Sequence, residues 1–407
     1  MVMELSKSGF HIGTIIRNSK NVIFAVSYPS SLLVFPGSLL EQPEHIYSFH
    51  DEPDDIRCLF IDSEDNIYIS LKGFKHGAYG RTYRSDNNGK SFTLVIDRCC
   101  WSMAEDSKGN IFAGVYHERR DPDGVCSVLW SHDHGLHFVD ISDPSWKEQT
   151  HVHHIAINRE NNWLYANLGD IRGMKGGWRS KNYSTECNMA ASAASFVLSL
   201  QDAYPASEET ANLTCVLSCG FQIKVRSISD GLLTLQAPLP RTVYEKEPVL
   251  LVDWVHKFSN ADDSMQFIGV VFHSDCIWLG NDTPPRVIPS EQRVVVYETY
   301  DDGSRETVTP QPLLTADKTY GWGCFFLTRD SQQNVWAGLR PLTGKGAVWR
   351  WSASSTFWQL MAESPQEELA YWRKSHTFRD VSAQQIYAEA ETAYVPCNFG
   401  LRVLPTL

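Results

Sequence analysis

The sequence predicts an all-β protein built from repeated antiparallel sheets. Three observations favour this fold: a strand phrase recurs along the chain, a second phrase typical of a hairpin turn follows it, and apolar residues make up 43% of the sequence. Repeats with periods of about 20–50 residues are typical of architectures in which one small unit is stacked many times. The period therefore predicts how many sheets the chain forms.

The strand phrase is an asparagine or a similar residue followed by apolar, aromatic and small residues. Its copies start at residues 21, 66, 110, 162, 276, 334 and 385, so the spacings are 45, 44, 52, 114, 58 and 51 residues. A turn-forming aspartate precedes three copies, at Asp62, Asp106 and Asp330. Short apolar runs bounded by turn formers predict strands.

The second phrase, Ser-x-Asp-x-Gly-x-x-aromatic, predicts a hairpin turn. Complete copies lie at 85–92 and 131–138, a partial copy lies at 299–303, and eroded copies lie at 180–182 and 352–358. The serine and aspartate side chains can bond the backbone of the turn, and glycine accepts a positive φ. We expect these residues to stabilise hairpins and not to form a ligand site.

A four-stranded antiparallel sheet every 45–55 residues is typical of a β-propeller blade. Seven strand phrases predict seven four-stranded blades in a single domain over residues 1–407, with eight blades as the alternative. Because the last phrase starts at residue 385 of 407, the ring is expected to close by N-terminal strands joining the C-terminal blade. Residues 184–264 fill the 114-residue gap and are either an insertion or a degenerate extra blade.

The two phrases resemble the Asp-box repeat of the BNR, sialidase-like propeller superfamily over about residues 8–183 and 265–407. The resemblance implies a β-propeller whose site holds a substrate carboxylate with three arginines. Arg57, Arg340 and Arg379 come from three blades and match that set in residue type and spread, and forked guanidinium groups suit carboxylates. The Arg-Ile-Pro motif of sialidases is absent.

Three histidines crowd into four positions at the start of the fourth strand phrase. Side chains alternate along a strand, so His151 and His153 are expected to share a face while His154 lies on the other. The pair could bind a divalent metal ion, or act as a general base with its orienting partner. Alternatively, the histidines form a hydrogen-bonded structural pair that ties adjacent blades together. His154 lies on the other face of the strand and is therefore expected to be structural.

Other candidates lie near the ends of the predicted inner strands. Acid, base or nucleophile roles are assigned to Glu105, Asp170 and Tyr116, because glycoside hydrolysis needs a carboxylate with a second carboxylate or a tyrosine. Trp101 and Trp322 are candidate stacking surfaces for a sugar, and Asp282 is a candidate substrate-binding carboxylate. The carboxylates Glu105, Asp170 and Asp282 could instead cap turns.

The overall charge and composition indicate which classes of partner and which compartment to expect. A net charge of −12 and a pI near 5.6 argue against nucleic-acid binding. No run approaches the ~18 apolar residues of a membrane span, and residues 1–7 lack a hydrophobic signal core. The chain is therefore expected to be cytoplasmic, or secreted if a signal was removed. The ten cysteines show no zinc spacing.

Two functions remain open. The first is a carbohydrate-active enzyme, either a glycoside hydrolase or a polysaccharide lyase, that acts on an acidic glycan at the channel mouth. The second is a non-catalytic propeller that serves as a glycan- or protein-binding scaffold, because fold alone does not decide function. Convergence of the candidate side chains in one pocket would favour the enzyme.

Overall fold

The computed structural model divides the chain into two compact units, Met1–Cys100 with Ser259–Leu407, and Trp101–Phe258. It describes residues 12–27, 31–37, 42–49, 55–72, 80–116, 126–148, 151–169, 176–202, 204, 212–258, 267–273, 276–281, 294–298, 307–308, 323–330, 332–340, 347–352, 358–363, 387–388, 392–397 and 400–405.

Within these ranges the secondary structure is strands and one short 3-10 helix, Pro144–Glu148, so the all-β prediction is confirmed. The strands are β1 (Ile12–Arg17), β2 (Ile23–Ser27), β3 (Ser31–Phe35), β4 (His45–Ser48), β5 (Asp55–Ile61), β6 (Ile67–Lys72), β7 (Arg81–Ser85), β8 (Thr93–Ile96), β9 (Cys99–Glu105), β10 (Ile111–Tyr116), β11 (Val128–Ser131), β12 (Val139–Asp140), β13 (His151–Asn158), β14 (Trp163–Gly169), β15 (Gly176–Lys181), β16 (Tyr183–Glu186), β17 (Val197–Ser199), β18 (Thr214–Leu217), β19 (Gln222–Ser229), β20 (Leu232–Leu235), β21 (Pro248–Val252), β22 (Val255–Phe258), β23 (Phe267–His273), β24 (Cys276–Asn281), β25 (Val294–Glu298), β26 (Thr307–Val308), β27 (Gly323–Arg329), β28 (Val335–Arg340), β29 (Ala347–Trp351), β30 (Trp358–Glu363), β31 (Tyr387–Ala388), β32 (Thr392–Cys397) and β33 (Gly400–Pro405).

The first unit contains antiparallel meanders in which consecutive strands pair: β1–β4, β5–β8, β23–β26, β27–β30 and β31–β33. β1 lies beside both β5 and β32, and β27 lies beside β23 and β24. Its apolar clusters join consecutive sheets: Phe24 and Leu32 pack with Ile56 and Ile67 in one of them.

The second unit contains an eight-stranded sheet made of two halves. The first half is β9–β12, and the second half is β13–β15 with β22 as its last strand. The halves meet where Tyr116 of β10 pairs with His151 of β13. One core of buried side chains, including Trp130 and Trp146, serves both halves.

Residues 183–252 form a separate six-stranded sheet, here called the module, between the third and fourth strands of the second half. Its strand order, β16-β21-β18-β19-β20-β17, is not sequential. The bridge between Cys187 and Leu200, with hydrogen bonds from Asn188 N to Ser199 O and from Gln201 N to Glu186 O, joins the two outer strands and closes the sheet on itself. Asp230 and Gly231, both with positive φ, form the turn that connects β19 to β20.

Alternating residues of β18 and β21 attach the module to the eight-stranded sheet. Val216 and Leu250 belong to the core of that sheet, whereas Cys215, Leu217 and Leu251 belong to the module's own core. Since side chains on a strand alternate between faces, one strand pair is buried on both sides. The module therefore packs directly against the eight-stranded sheet.

Asp253 fixes the two connections that lead into and out of the module. Its Oδ1 accepts hydrogen bonds from Lys181 N at 2.6 Å and from Ser180 Oγ at 3.3 Å, while its own N–H donates to Ser180 Oγ at 2.8 Å. Burial raises the pKa of the Asp253 carboxyl, and these bonds partly offset that effect. Both ends of the module are consequently held at one point.

The turn-forming residues before the second strands build one repeated hairpin. Asp62, Asp106 and Asp330 each accept bonds at Oδ1 from the backbone N–H groups two and four residues later. The residue before the final asparagine has a positive φ, as at Asp65 and Gly109. Side chains of this type replace backbone partners in turns, so the aspartates are structural.

The copies of the second phrase at 85–92 and 131–138 form matching turns, although the first has Asn87 at the aspartate position. Ser85 Oγ donates to Asn87 Oδ1 at 2.9 Å and accepts from Gly89 N at 3.0 Å. Ser131 Oγ likewise donates to Asp133 Oδ1 at 2.7 Å and accepts from Gly135 N at 2.9 Å. Both glycines have positive φ, as the turn chemistry predicts.

A β-bulge interrupts the first strand of several sheets at the same place. Pairing shifts at Arg57 in β5, His153 in β13, Ile268 in β23 and Phe325 in β27. The residue before each bulge is fully or almost fully buried: Ile56, Val152, Phe267 and Cys324. Arg57 and Phe325 each lie five residues before their hairpin aspartates, Asp62 and Asp330. Trp101 lies five residues before Asp106 and so takes the same position in β9.

Small residues in the second strands let these pre-bulge residues pack closely. Ser70 Oγ accepts a 2.6 Å bond from Cys100 N. A Cβ added at Gly114 would lie 2.7 Å from Val152 Cγ1, and one added at Gly280 would lie 2.5 Å from the Cys324 carbonyl oxygen. Consecutive sheets, and likewise the two halves of the eight-stranded sheet, therefore approach too closely at these positions for a larger side chain.

We expect Gly280→Ala to destabilise the protein more than Gly114→Ala. The obstacle at Gly280 is backbone, whereas the Val152 side chain beside Gly114 can shift. Overpacking of this kind costs about 1–3 kcal/mol. Gly37→Ala is the matched control, because a Cβ there meets nothing within 4 Å. Melting temperatures should rank Gly37→Ala above Gly114→Ala above Gly280→Ala; equal values for all three would contradict the close approach.

No helix in the described part of the chain is both long and apolar enough to span a membrane.

Candidate functional site

Four of the sequence-predicted residues meet at the seam between the two halves of the eight-stranded sheet. Trp101 lies on β9, Tyr116 ends β10, and His151 and His153 begin β13. His151 and His153 are about 95% buried, while Trp101 and Tyr116 keep part of their surface exposed. We call these four side chains the seam cluster.

The rings of the seam cluster are packed against one another. Trp101 and Tyr116 stack with their centroids 3.9 Å apart and their planes 6° apart. Tyr116 lies 4.2 Å from His151, and Trp101 lies 5.9 Å from His153. Stacked rings of this kind stabilise by about 0.5–1.5 kcal/mol beyond their buried area. Much of each ring face is therefore used within the protein.

The ring nitrogens of His151 and His153 are hydrogen-bonded to each other, so the two side chains lie on one face of β13. Their Nε2 atoms lie 2.7 Å apart, so one nitrogen carries the proton that the other accepts. Two nitrogens bound to one tetrahedral zinc, at about 2.0–2.1 Å each, would lie farther apart, at about 3.3 Å. Within the described residues no group of three His, Cys, Asp or Glu side chains is arranged to hold a metal.

Gly169 makes room for this histidine pair. It pairs with His151 across β13 and β14, and a Cβ at this position would overlap the His153 ring. The bulge at His153 turns that ring over the glycine. The sequence alone does not reveal this role of Gly169, because a bulge depends on the partner strand.

His154 lies outside the histidine pair, next to it in sequence. Burial lowers its pKa to about 4, and the neighbouring His153 acts in the same direction. His154 is therefore neutral in the folded protein at physiological pH. This protonation state fits a structural role.

Glu105 does not join the seam cluster. The carboxylate is buried, and its Oε2 accepts a 3.2 Å bond from Arg159 Nη2. Arg159 follows β13 directly, so the ion pair ties β9 to the end of β13. A carboxylate with this partner serves as a structural bridge within the unit.

Of the remaining predicted site residues, two arginines fall within the described residues. Arg57 occupies the bulge of β5 and is half-buried, and Arg340 is the last residue of β28. Both arginines belong to the first unit, whereas the seam cluster belongs to the second. Four further predicted site residues lie outside the described residues: Asp170, Asp282, Trp322 and Arg379.

The module carries a second candidate surface that sequence reasoning missed. Nine large hydrophobic residues are exposed in the described part of the chain, and six belong to the module: Met189, Phe196, Val197, Phe221, Leu232 and Tyr244. The module makes up less than a third of the residues that the structure describes. A concentration of exposed apolar side chains is typical of an interaction surface.

Val197 and Leu232 lie on the same face of the β17–β20 strand pair, and the exposed Phe196 directly precedes β17. Val197 pairs with Thr234, and Ser199 pairs with Leu232, across β17 and β20. Residues 188–200, which include β17, contain no charged side chain, whereas 21% of the whole chain is charged. We call this strand pair with Phe196 the apolar face.

An ion pair between Arg241 and Glu247 lines a cleft of about 720 Å³ elsewhere in the module. Arg241 donates to both carboxylate oxygens of Glu247, and Ser218 Oγ donates to Oε1 at 2.8 Å. Burial alone would raise the pKa of Glu247, but these bonds hold it below its usual value. Arg241 is thus occupied by its own partner.

No protein-family model matches the chain, and no curated protein matches it. Among solved structures, the extracellular domain of BT4673 from B. thetaiotaomicron superposes with a TM-score of 0.53 at 10% identity, covering 99% of this chain and 39% of that one. The structure of YCF48 bound to D1 peptide superposes with a TM-score of 0.50 at 9% identity, covering 100% of this chain and 96% of that one.

These likenesses show the fold alone: the chain has a β-propeller-like arrangement of curled antiparallel sheets. The chain spans about two fifths of the length of the BT4673 structure.

His154 predicts a specific pH dependence of stability. Its pKa is about 4 in the folded protein, against an ordinary value of 6.5, so unfolding takes up a proton between these two pH values. The free energy of unfolding should fall as pH falls through that window, by about 3 kcal/mol at most from this residue. His154→Gln should flatten the slope between pH 6.5 and 4, measured by urea unfolding.

Leu94→Gln is the control for this measurement, because Leu94 is exposed and its substitution adds or removes no titratable group. It should leave the slope unchanged. A slope in His154→Gln equal to that of the wild type would contradict the assignment.

Proposed function

We propose that the protein is a non-catalytic scaffold that binds a protein partner through the apolar face of the module. The observation that carries this proposal is the concentration of exposed hydrophobic side chains on the module. The fold that displays the module is proposed to be a seven-bladed propeller closed by its N- and C-terminal strands. The two matching serine turns support a relationship to Asp-box repeats.

The state of the candidate catalytic groups supports a binding role. His151 and His153 bond each other in a buried position, and Glu105 is bonded by Arg159. General acid–base catalysis requires a group that can reach the substrate proton. Groups already engaged within the protein suit a rigid scaffold better than an active site.

The attachment of the module also supports display of a partner-binding surface. Core side chains on β18 and β21 and the Asp253 bonds hold the module firmly. A surface held in one orientation loses less conformational entropy on binding. YCF48, whose structure was solved with a bound peptide, shows that a protein of similar fold can bind polypeptide.

The test replaces the three central residues of the apolar face together: Phe196→Ser, Val197→Ser and Leu232→Ser. The control protein carries Leu94→Ser and Leu136→Ser, two exposed leucines outside the module. We expect both proteins to melt like the wild type. A partner isolated with the wild type should bind the control equally and bind the module variant at least about tenfold more weakly, measured by calorimetry.

Equal binding of that partner by the module variant would overturn the proposal.

A second candidate function is a carbohydrate-active enzyme on an acidic glycan, either a hydrolase or a polysaccharide lyase. The convergence of Trp101, Tyr116, His151 and His153 in one cluster favours it. Incubation with sialosides and with uronic-acid oligosaccharides separates the two functions, with and without added divalent metal. Turnover that disappears in Tyr116→Phe would support the enzyme, and absence of turnover would support the scaffold.

A further inference from the structure

Two exposed cationic side chains lie on the strand next to the apolar face. Lys224 and Arg226 belong to β19, which pairs with β20. Their neighbours Ile223 and Val225 are buried in the core of the module. Because side chains alternate along a strand, Lys224 and Arg226 lie on the outer surface of the module, as the apolar face does.

The pairing across β19, β20 and β17 brings these cations near the apolar residues. Thr234 of β20 pairs with Ser227 on one side and with Val197 on the other. Arg226 is the bulge residue directly before Ser227, and a bulge can re-aim a side chain. Since paired strands lie about 4.8 Å apart, the backbone of Arg226 is about 10 Å from that of Val197, two strands away.

The charge beside the apolar face is opposite in sign to that of the whole chain. Residues 222–235 carry two cations, Lys224 and Arg226, and one carboxylate, Asp230, which lies in the turn, whereas the chain has a net charge of −12. Exposed charges more than about 8 Å apart are largely screened at physiological ionic strength. A partner at the apolar face therefore meets mainly the local cations.

Polar and apolar side chains alternate across the apolar face. Val197 pairs with Thr234, and Leu232 pairs with Ser199, so each apolar residue has a hydroxyl group on the opposite strand. A polypeptide can supply hydrogen-bonding partners for these hydroxyls, whereas lipid hydrocarbon would leave them without partners at a cost in free energy. This surface suits a polypeptide better than a membrane.

We infer that the apolar face binds an acidic and apolar polypeptide segment, in which an aspartate or glutamate lies within about three residues of two apolar side chains. The inference rests on the proposed binding function of this face and specifies the chemistry of the partner. An extended segment advances about 3.3 Å per residue, so about three residues cover the distance from Arg226 to Val197. The forked guanidinium group of Arg226 is suited to the segment's carboxylate, and Val197 and Leu232 contact its apolar side chains.

Selection from a random dodecapeptide library displayed on phage tests this inference, with the full chain as bait. Peptides that bind the wild type but not the module variant (Phe196→Ser, Val197→Ser and Leu232→Ser) are the ligands of the apolar face. We expect these peptides to contain an acidic residue within about three positions of two apolar residues. Their affinities are then measured by fluorescence anisotropy.

Reversal of the two cations tests the charge preference directly. Lys224→Glu with Arg226→Glu should weaken binding of the selected peptides about tenfold. Peptides in which lysine replaces the acidic residue should bind this variant more tightly than the original peptides do. Lys90→Glu with Lys246→Glu, at two exposed lysines outside β19, is the matched control and should bind like the wild type. All variants should melt like the wild type.

The possible failures are distinguishable. Selected peptides that depend on the apolar face but are basic or uncharged would overturn the acidic partner and leave the proposed binding function standing. If no selected peptide depends on Phe196, Val197 and Leu232, both the inference and the binding function fail. Binding to phosphatidylcholine vesicles that contain phosphatidylglycerol, lost in the module variant and without any face-dependent peptide, would identify a membrane as the partner and also overturn the inference.

Discussion

The close approach between consecutive sheets is the constraint on which the rest of the structure depends. It requires a small residue in the second strand of one sheet and a buried pre-bulge residue facing it. Gly114 with Val152 and Gly280 with Cys324 meet this requirement by omitting a side chain, and Ser70 meets it by accepting a hydrogen bond from Cys100 N. Dense packing leaves no tolerance for an added methylene.

The same constraint explains where the chemically conspicuous side chains lie. The residue directly after the pre-bulge contact is released from regular pairing by the bulge. In the second unit these positions hold Trp101 and His153, whose rings lie 5.9 Å apart. The packing of the sheets thus places one residue per repeat at the same position of the first strand. The seam cluster consists of two residues at this position, Trp101 and His153, together with Tyr116 and His151.

Local features of the fold were predictable from the sequence, whereas features that depend on distant partners were not. The bonds that form the aspartate hairpins and the Ser85 and Ser131 turns join residues at most six positions apart, so the sequence pattern is sufficient for these turns. The further bond from Asn182 to Asp106 spans 76 positions. The alternation that places His151 beside His153 is local too. The bond between Glu105 and Arg159 spans 54 residues, and the bulge above Gly169 depends on which strand pairs with β13. Neither leaves a sequence signal.

The module shows how a non-local structure can be added without disturbing the repeat. Its entry and exit strands are held together by Asp253, so β22 still pairs with β15 as the last strand of the second half. Over the module's described residues, the bridge between Cys187 and Leu200 joins the two outermost strands, so the backbone at that point is already paired. Side chains on the outer face remain available to a partner. The exposed Phe196, Val197 and Leu232 therefore carry the proposed recognition.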